Sequence, residues 1–444
     1  MAVVCDRTPR GENPPDPGSP VQEAAFTVRD SAGVEIVVNH APERPRGQSW
    51  TLDPNPLFIL GGGSGIAAAA ASSPARDSIS AAIWRVGGVA RLVDGRVAVL
   101  SSENRQLYLF EPSGTPSRTI GRRGRGPGEF SRPQHLWYLP PDTLVVWDQW
   151  MGAVTRFDTA GRVLERRTID LGRALAELPG QAAVESPTLP VPDGSFIVRV
   201  QVRDAARARP QDYELVRHHP EEYVRIDREY NAISFGTWGG REHWAVPEEF
   251  GRASPISDYQ LSADDYFFNT LLTSHIAVGG NPVSVYISSG DRNEIRQFSL
   301  DGALVRIIRR TTSPVPVTEQ AHRAWAQNGI RFLSIFPEAE WRWPLIEATP
   351  KWDTYPPVDA MLVDAEGHLW VREWSDSETG LPDRWSVFNP EGRWLGVLEE
   401  PPPTGLPDLS HCHLCWIGTD SYVTVRRDEW GAQRVEVYRI RRDG

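Results

Sequence analysis

The densest run of metal-capable side chains is HCHLC, in which His411, Cys412, His413 and Cys415 fall within five residues. In an extended segment, alternation sets His411, His413 and Cys415 on one face and Cys412 on the other. Three such ligands suit zinc with an open fourth position, and a Cys-x-x-Cys pair chelates or oxidises if the backbone turns there. No second Cys/His pair completes a structural zinc pattern, so packing is the simpler role. Chemistry at an anion is suggested by IGRRGRGPGEFSRP, Ile120 to Pro133, where Arg122, Arg123 and Arg125 alternate with glycines. It matches neither a Walker-type loop nor a strand running into a helix, the context in which backbone N–H groups and a helix dipole hold phosphate. The glycines read as turn formers, with weak anion binding as the competing reading. No G-x-S-x-G, H-E-x-x-H or dinucleotide fingerprint occurs. Asp94, Asp148, Asp364 and Glu373 are available for acid–base work, but Asp94 lies in an Asp-Gly turn, where its carboxylate serves local backbone.

These groups need a scaffold. Of the 444 residues 40% are hydrophobic and 24% charged, enough for a sizeable core, and the formal net charge of −11 argues against nucleic acid as a partner. Lys351 is the sole lysine, so the cationic surface is arginine. Nothing approaches the roughly 18 consecutive apolar residues of a membrane-spanning helix. Residues 1–25 begin with a stretch rich in Pro, Gly and charge and read as a disordered tether. Cys5 follows Ala2-Val3-Val4 in the manner of a bacterial lipoprotein signal, which would attach lipid and place the protein in the periplasm or at the cell surface.

From Val86 the pattern is regular. GGVARLVDGRVAVLSSENRQLYLFEPSGTPSRTIG contains four alternating stretches separated by turns, and the order repeats over His135–Leu171. A third-turn signature, aromatic-x-x-x-Gly, recurs at FEPSG, FDTAG, FSLDG and FNPEG. Repeat units are expected near 86–130, 135–175, 184–240, 272–312, 356–400 and 409–443. The third unit carries a charged insertion, Arg203 to Tyr223, and a small helical insertion is expected at about 318–352 between the fourth and fifth. The last unit is one strand short. Pro56–Leu60 is a spare strand that would complete it and close a ring. The expected fold is all-β: a six-bladed β-propeller of four-stranded antiparallel blades over residues 26–444.

IGRRGRGPGEF followed by proline, together with VRDSAGVEIV, VDGRVAV and DAEGHLWVREW, resembles NHL-repeat propellers and a related bacterial group of six-bladed, lipoprotein-like propellers. The resemblance implies the fold, and it spans binding scaffolds, lyases and lactonases. The favoured expectation is a monomeric, non-catalytic propeller that binds a protein, peptide or saccharide, using Arg199, Arg372 and Trp374 near inner-strand ends and Trp341 and Trp343 of the insertion. The alternative is a lyase or lactonase with a divalent metal in the central channel on His135, His275 and His411. Trp137, Trp147, Trp370 and Trp416, among 17 tryptophans, are expected to fill space between blades.

Overall fold

The computed structural model describes residues 24–44, 50–61, 83, 85–176, 182–202, 216–218, 220–240, 242–244, 261–262, 273–320, 353–373, 384–400, 416–427 and 433–442. The chain opens with a hairpin, β1 (Phe26–Ser31) and β2 (Val34–Asn39), followed by two short strands, β3 (Thr51–Leu52) and β4 (Phe58–Gly61). Blade one is β5 (Val86–Arg91), β6 (Val97–Ser101), β7 (Gln106–Phe110) and β8 (Pro116–Ile120). Blade two is β9 (Pro133–Leu139), β10 (Thr143–Asp148), β11 (Ala153–Asp158) and β12 (Val163–Thr168), and the short helix α1 (Leu171–Leu175) follows. Blade three is β13 (Ala182–Pro190), β14 (Phe196–Val202), β16 (Glu221–Ile226) and β17 (Ala232–Trp238). A separate small sheet is formed by β15 (Val216–His218), β18 (Glu242–Trp244) and β19 (Leu261–Ser262). Blade four is β20 (His275–Gly279), β21 (Ser284–Ser288), β22 (Glu294–Ser299) and β23 (Leu304–Arg310). Blade five is β24 (Ala360–Val363), β25 (Leu369–Glu373), β26 (Arg384–Phe388) and β27 (Trp394–Glu399). Blade six is β28 (Trp416–Ile417), β29 (Ser421–Arg427) and β30 (Gln433–Arg441), completed from the N-terminal side by β3 and β4.

The recurring aromatic-x-x-x-Gly signature has a physical cause. In the turn between third and fourth strands the register shifts at Phe110, Phe157, Phe298 and Phe388, a β-bulge at the aromatic residue. The glycine four residues on takes φ near +80°, as at Gly161 and Gly392, a conformation that strains any other residue. Each phenylalanine is buried, so one five-residue phrase both reverses the chain and anchors the turn on the core.

The core is a ring of interfaces, not a single centre. Apolar clusters lie between blades six and one, one and two, five and six, four and five, and three and four. Between blades two and three, α1 joins the packing through Leu171 and Ala174. Second strands such as β6 are therefore buried on both faces, whereas outer strands such as β8 expose theirs. Trp370 and Trp147 are fully buried, and Trp137 and Trp416 are half-buried against the clusters, as fillers between blades should be.

The spare strand closes the ring: Leu60 stands opposite Val435 and Phe58 opposite Val437, while β3 sets Leu52 opposite Ile440. The opening hairpin lies elsewhere. β2 pairs in parallel with β23, so blade four is extended to six strands. The Asn39 side chain donates to the carbonyls of Arg309 and Gly392 and accepts from the amide of Trp394, clipping blade four to blade five. The charged insertion of blade three ends earlier than its composition suggests. Glu221 and Tyr223 already belong to β16, and Tyr223 is a buried core residue. Residues 321–352, which hold most of the expected helical insertion with Trp341 and Trp343, lie outside the described residues, as do Cys5, Trp374, His411, Cys412 and Cys415.

Candidate functional face

An antiparallel four-stranded blade sends its first and third turns to one end of the ring and its second turn, with the connection to the next blade, to the other. The first end carries short turns, each held by its own side chain. Asp94 accepts from the Arg96 amide and guanidinium, Asp158 from the amides of Ala160 and Arg162, and Asp193 from Ser195. Asp94 is thus a turn residue. At the second end lie the ends of β14, β25 and β29 and the starts of all inner strands, and there the chain leaves for its long connections, 203–215, 374–383 and 401–415. Length variation between blades is concentrated at that end.

The glycine linker between blades one and two is an anion nest filled by its own carboxylate. Glu129 accepts from the Gly126 amide at 2.8 Å and from Arg122 Nε at 2.8 Å. A Cβ at Gly124 would overlap that carboxylate, and one at Gly121 would overlap the Phe130 ring, so these glycines are fixed by contact as well as by turn geometry. The Gly126 amide and then Arg122 hold the Glu129 carboxyl below its ordinary value. A depressed carboxylate stabilises the fold above its unfolded pKa and loses that contribution as pH falls through the folded value. Wild type should therefore melt higher than Glu129→Gln at neutral pH, with the gap closing below about pH 4. Equal melting temperatures at neutral pH would show that the carboxylate does not hold the linker.

In blade two, Asp148, buried at the end of β10, accepts from the backbone amides of Ser131 (2.5 Å), Arg132 (3.0 Å) and Met151 (3.2 Å). It is a structural clamp that joins the incoming linker to the second turn. His135, on inner strand β9, stands opposite Trp147 and stacks on Trp137 with ring centroids 5.4 Å apart. Burial lowers its pKa to about 4, so the imidazole is neutral at physiological pH. His275 opens inner strand β20 of blade four, two blades away. Among the described residues, no third metal-capable side chain joins either histidine; the one group close enough to share an ion is Asp364, Glu366 and His368. That group sits in the first turn of blade five, at the short-turn end. Asp364 accepts from the Glu366 and His368 amides, from His368 Nδ1 and from Trp370 Nε1. These bonds outweigh its burial and keep its carboxyl below the usual range. Arg442 lies 3.8 Å from Asp364 and 2.6 Å from Glu366, so a guanidinium already supplies the cation there.

Arg199 and Arg372 occupy the same place, the fourth residue of the second strand, in blades three and five. Each is 17% exposed and braced by buried carboxylates: Arg199 lies 3.5 Å from Glu221, and Arg372 lies 3.3 Å from Asp359 and 3.9 Å from Glu400. Glu400 is the hub between blades five and six. It accepts from Trp385 Nε1 at 2.8 Å, Tyr422 Oη at 2.7 Å and Arg426 Nη2 at 2.9 Å. Burial, then the Glu400 charge, raises the Tyr422 pKa well above normal, so the phenol stays a donor. Glu373 is likewise committed, accepting from Arg310 at 2.5 Å and Ser386 at 2.6 Å, and Arg310 outweighs burial to keep it ionised. Sequence reasoning named Arg199 and Arg372 but missed Glu221, Glu400 and Arg426. An acidic residue opening a strand, as in PEEYV, or directly before three prolines, as in EEPPP, was the available signal.

Residues 83–181 match the profile of a family described as a six-bladed β-propeller. No curated protein sequence matches the chain. Among solved structures, the chain is similar to a protein described as exported from Bacteroides fragilis, with 13% identity over 91% of this chain and 98% of that one and a TM-score of 0.41. It is also similar to a gluconolactonase of Xanthomonas campestris (15% identity, 89% and 99% covered, TM-score 0.35). Virginiamycin B lyase of Staphylococcus aureus is a further likeness (11% identity, 80% and 83% covered, TM-score 0.32). None of these likenesses carries an activity over to this chain.

Proposed function

We propose that the chain is a non-catalytic binding propeller, held outside the cytoplasm by lipid on Cys5, that takes a protein, peptide or saccharide ligand at the end of the ring bearing its long connections. The observation that supports this most directly is the pair Arg199 and Arg372. Both are partly exposed, and each guanidinium lies within 3.5 Å of a largely buried carboxylate that limits where it can swing. Such bracing pre-organises an arginine for a carboxylate, sulfate or phosphate on a ligand, because little side-chain entropy remains to be lost on binding. The Cys5 tether rests on the sequence, a cysteine after small apolar residues and before a Pro-rich spacer.

Two measurements test the reading. Titration of acidic peptides and oligosaccharides against purified protein should find a ligand whose affinity falls at least about tenfold in Arg372→Gln, the loss expected of one charge-assisted pair. Unaltered affinity in Arg372→Gln and Arg199→Gln would move binding away from these residues. Elemental analysis is the second: stoichiometric divalent metal, lost in His135→Ala or His275→Ala, would replace the binding assignment with a metal-dependent lyase or lactonase.

A further inference from the structure

Blade two presents a feature that the braced arginines do not explain. Trp150, in the second turn between β10 and β11, is 66% exposed. An indole left in water on a mobile loop would need no account, but this turn is fixed. Asp148 ties Met151 to the linker, the Gln149 amide donates to the Arg132 carbonyl at 3.0 Å, and the Ile169 amide donates to the Gly152 carbonyl at 2.7 Å. The Arg132 guanidinium lies 5.6 Å from the Trp150 ring centroid. Beside it, Arg166 reaches Met151 Sδ at 3.3 Å and the Arg125 carbonyl at 2.5 Å. Arg105, held with φ of 56°, donates to the Ser131 carbonyl at 2.7 Å from blade one.

Charge marks the place out further. Among the described residues at the long-connection end, Arg199, Arg310, Arg372 and Arg426 each meet a carboxylate. Arg125, Arg132 and Arg166 meet none among the described residues, and Asp148, the nearest carboxylate in the turn, is consumed by three amides. A rigid, exposed indole with the Arg132 guanidinium against it and that of Arg166 at the adjacent Met151, neither met by a carboxylate among the described residues, has the chemistry of a site for a ligand with a flat apolar face and a negative charge. A uronic-acid ring offers both: its C–H face stacks on indole while its carboxylate meets guanidinium. An acidic peptide would use the arginines and leave the indole idle.

We propose that Trp150, with Arg132 and Arg166, forms a subsite for an anionic saccharide at the blade-two side of the long-connection end. The inference rests on the binding reading above and adds a ligand class and a location to it. Isothermal titration of tetragalacturonate, of its carboxyl-reduced neutral counterpart and of pentaglutamate tests it. Tetragalacturonate is expected to bind, more weakly at high salt, and Trp150→Ala and Arg132→Gln should each weaken it at least about tenfold. Both positions are exposed, so the variants should melt as wild type does, which calorimetry verifies. No binding of tetragalacturonate overturns the subsite. So does binding that survives Trp150→Ala and disappears in Arg372→Gln, although that result leaves the binding reading intact. Equal affinity for the neutral sugar removes the arginines from the account, and Trp150-dependent binding of pentaglutamate replaces the saccharide with a peptide.

Discussion

A chain beginning at residue 62 should fail to give a stable ring. The bare edge of β30 would lose Phe58–Gly61 and Thr51–Leu52, and the clusters flanking blade six would lose the buried Leu60 and Trp50. Burying large apolar side chains contributes about 1.5–3 kcal/mol each, and ladder hydrogen bonds about 1 kcal/mol net each. The sum is on the order of 10 kcal/mol, comparable with the whole stability of an ordinary domain, roughly 5–15 kcal/mol. The expected result is insoluble or protease-sensitive protein, partly rescued by a peptide spanning 50–61 supplied in trans. A milder probe, Leu60→Asp, places a charge in a dry interface and should lower the urea midpoint sharply. A truncated chain with an unchanged urea transition would show that the seam is not closed by this strand.

The second large effect is expected at Glu400. Its side chain is 1% exposed and serves Arg426, Tyr422 and Trp385, with Arg372 3.9 Å away. Replacing it with alanine takes from Arg426 its nearest carboxylate in a buried interface and from Tyr422 and Trp385 the acceptor they share. Breaking a buried pair from one side costs about 3–5 kcal/mol, more than the pair itself contributes, because the remaining charge is stranded. Glu400→Ala should therefore unfold at markedly lower denaturant than wild type. Glu400→Gln, which keeps an acceptor for Tyr422 and Trp385, should recover part of the loss. If Glu400→Ala and Arg426→Met destabilise additively, the two residues do not interact, and the network is an accident of proximity.

Much of the fold was legible because each blade must solve the same local problem. The third turn needs a bulge, a left-handed residue and an anchor, and Phe-x-x-x-Gly supplies all three, so the repeat survives where the rest of the blade diverges. The missing strand of blade six was equally readable, since an open edge demands a partner. The docking of β1 and β2 on blade four was not. Their alternation announces a hairpin, but the choice of β23 depends on Asn39 meeting Gly392 and Trp394, residues of another blade. The site was harder for the same reason. Glu221 pairs with a residue on the neighbouring strand of its own blade, across the insertion that separates them in sequence, and Glu400 pairs with residues on the next blade, which only the ring brings near. Trp150 looked like one tryptophan among many until its exposure and its clamped turn set it apart.

The outer path of residues 26–61 decides how the protein bears load. Before reaching the seam, the chain is zipped along blade four by β1 and β2 and bonded to the rim of blade five through Glu43 and Arg44, which donate to Trp394 and Leu395. A force applied ahead of Phe26 must strip this clasp before any tension arrives at Leu60. The six-bladed wheel is thus mechanically insulated from a pull on the chain ahead of it, and the strand that holds the circle shut is the last part of that path to feel the load.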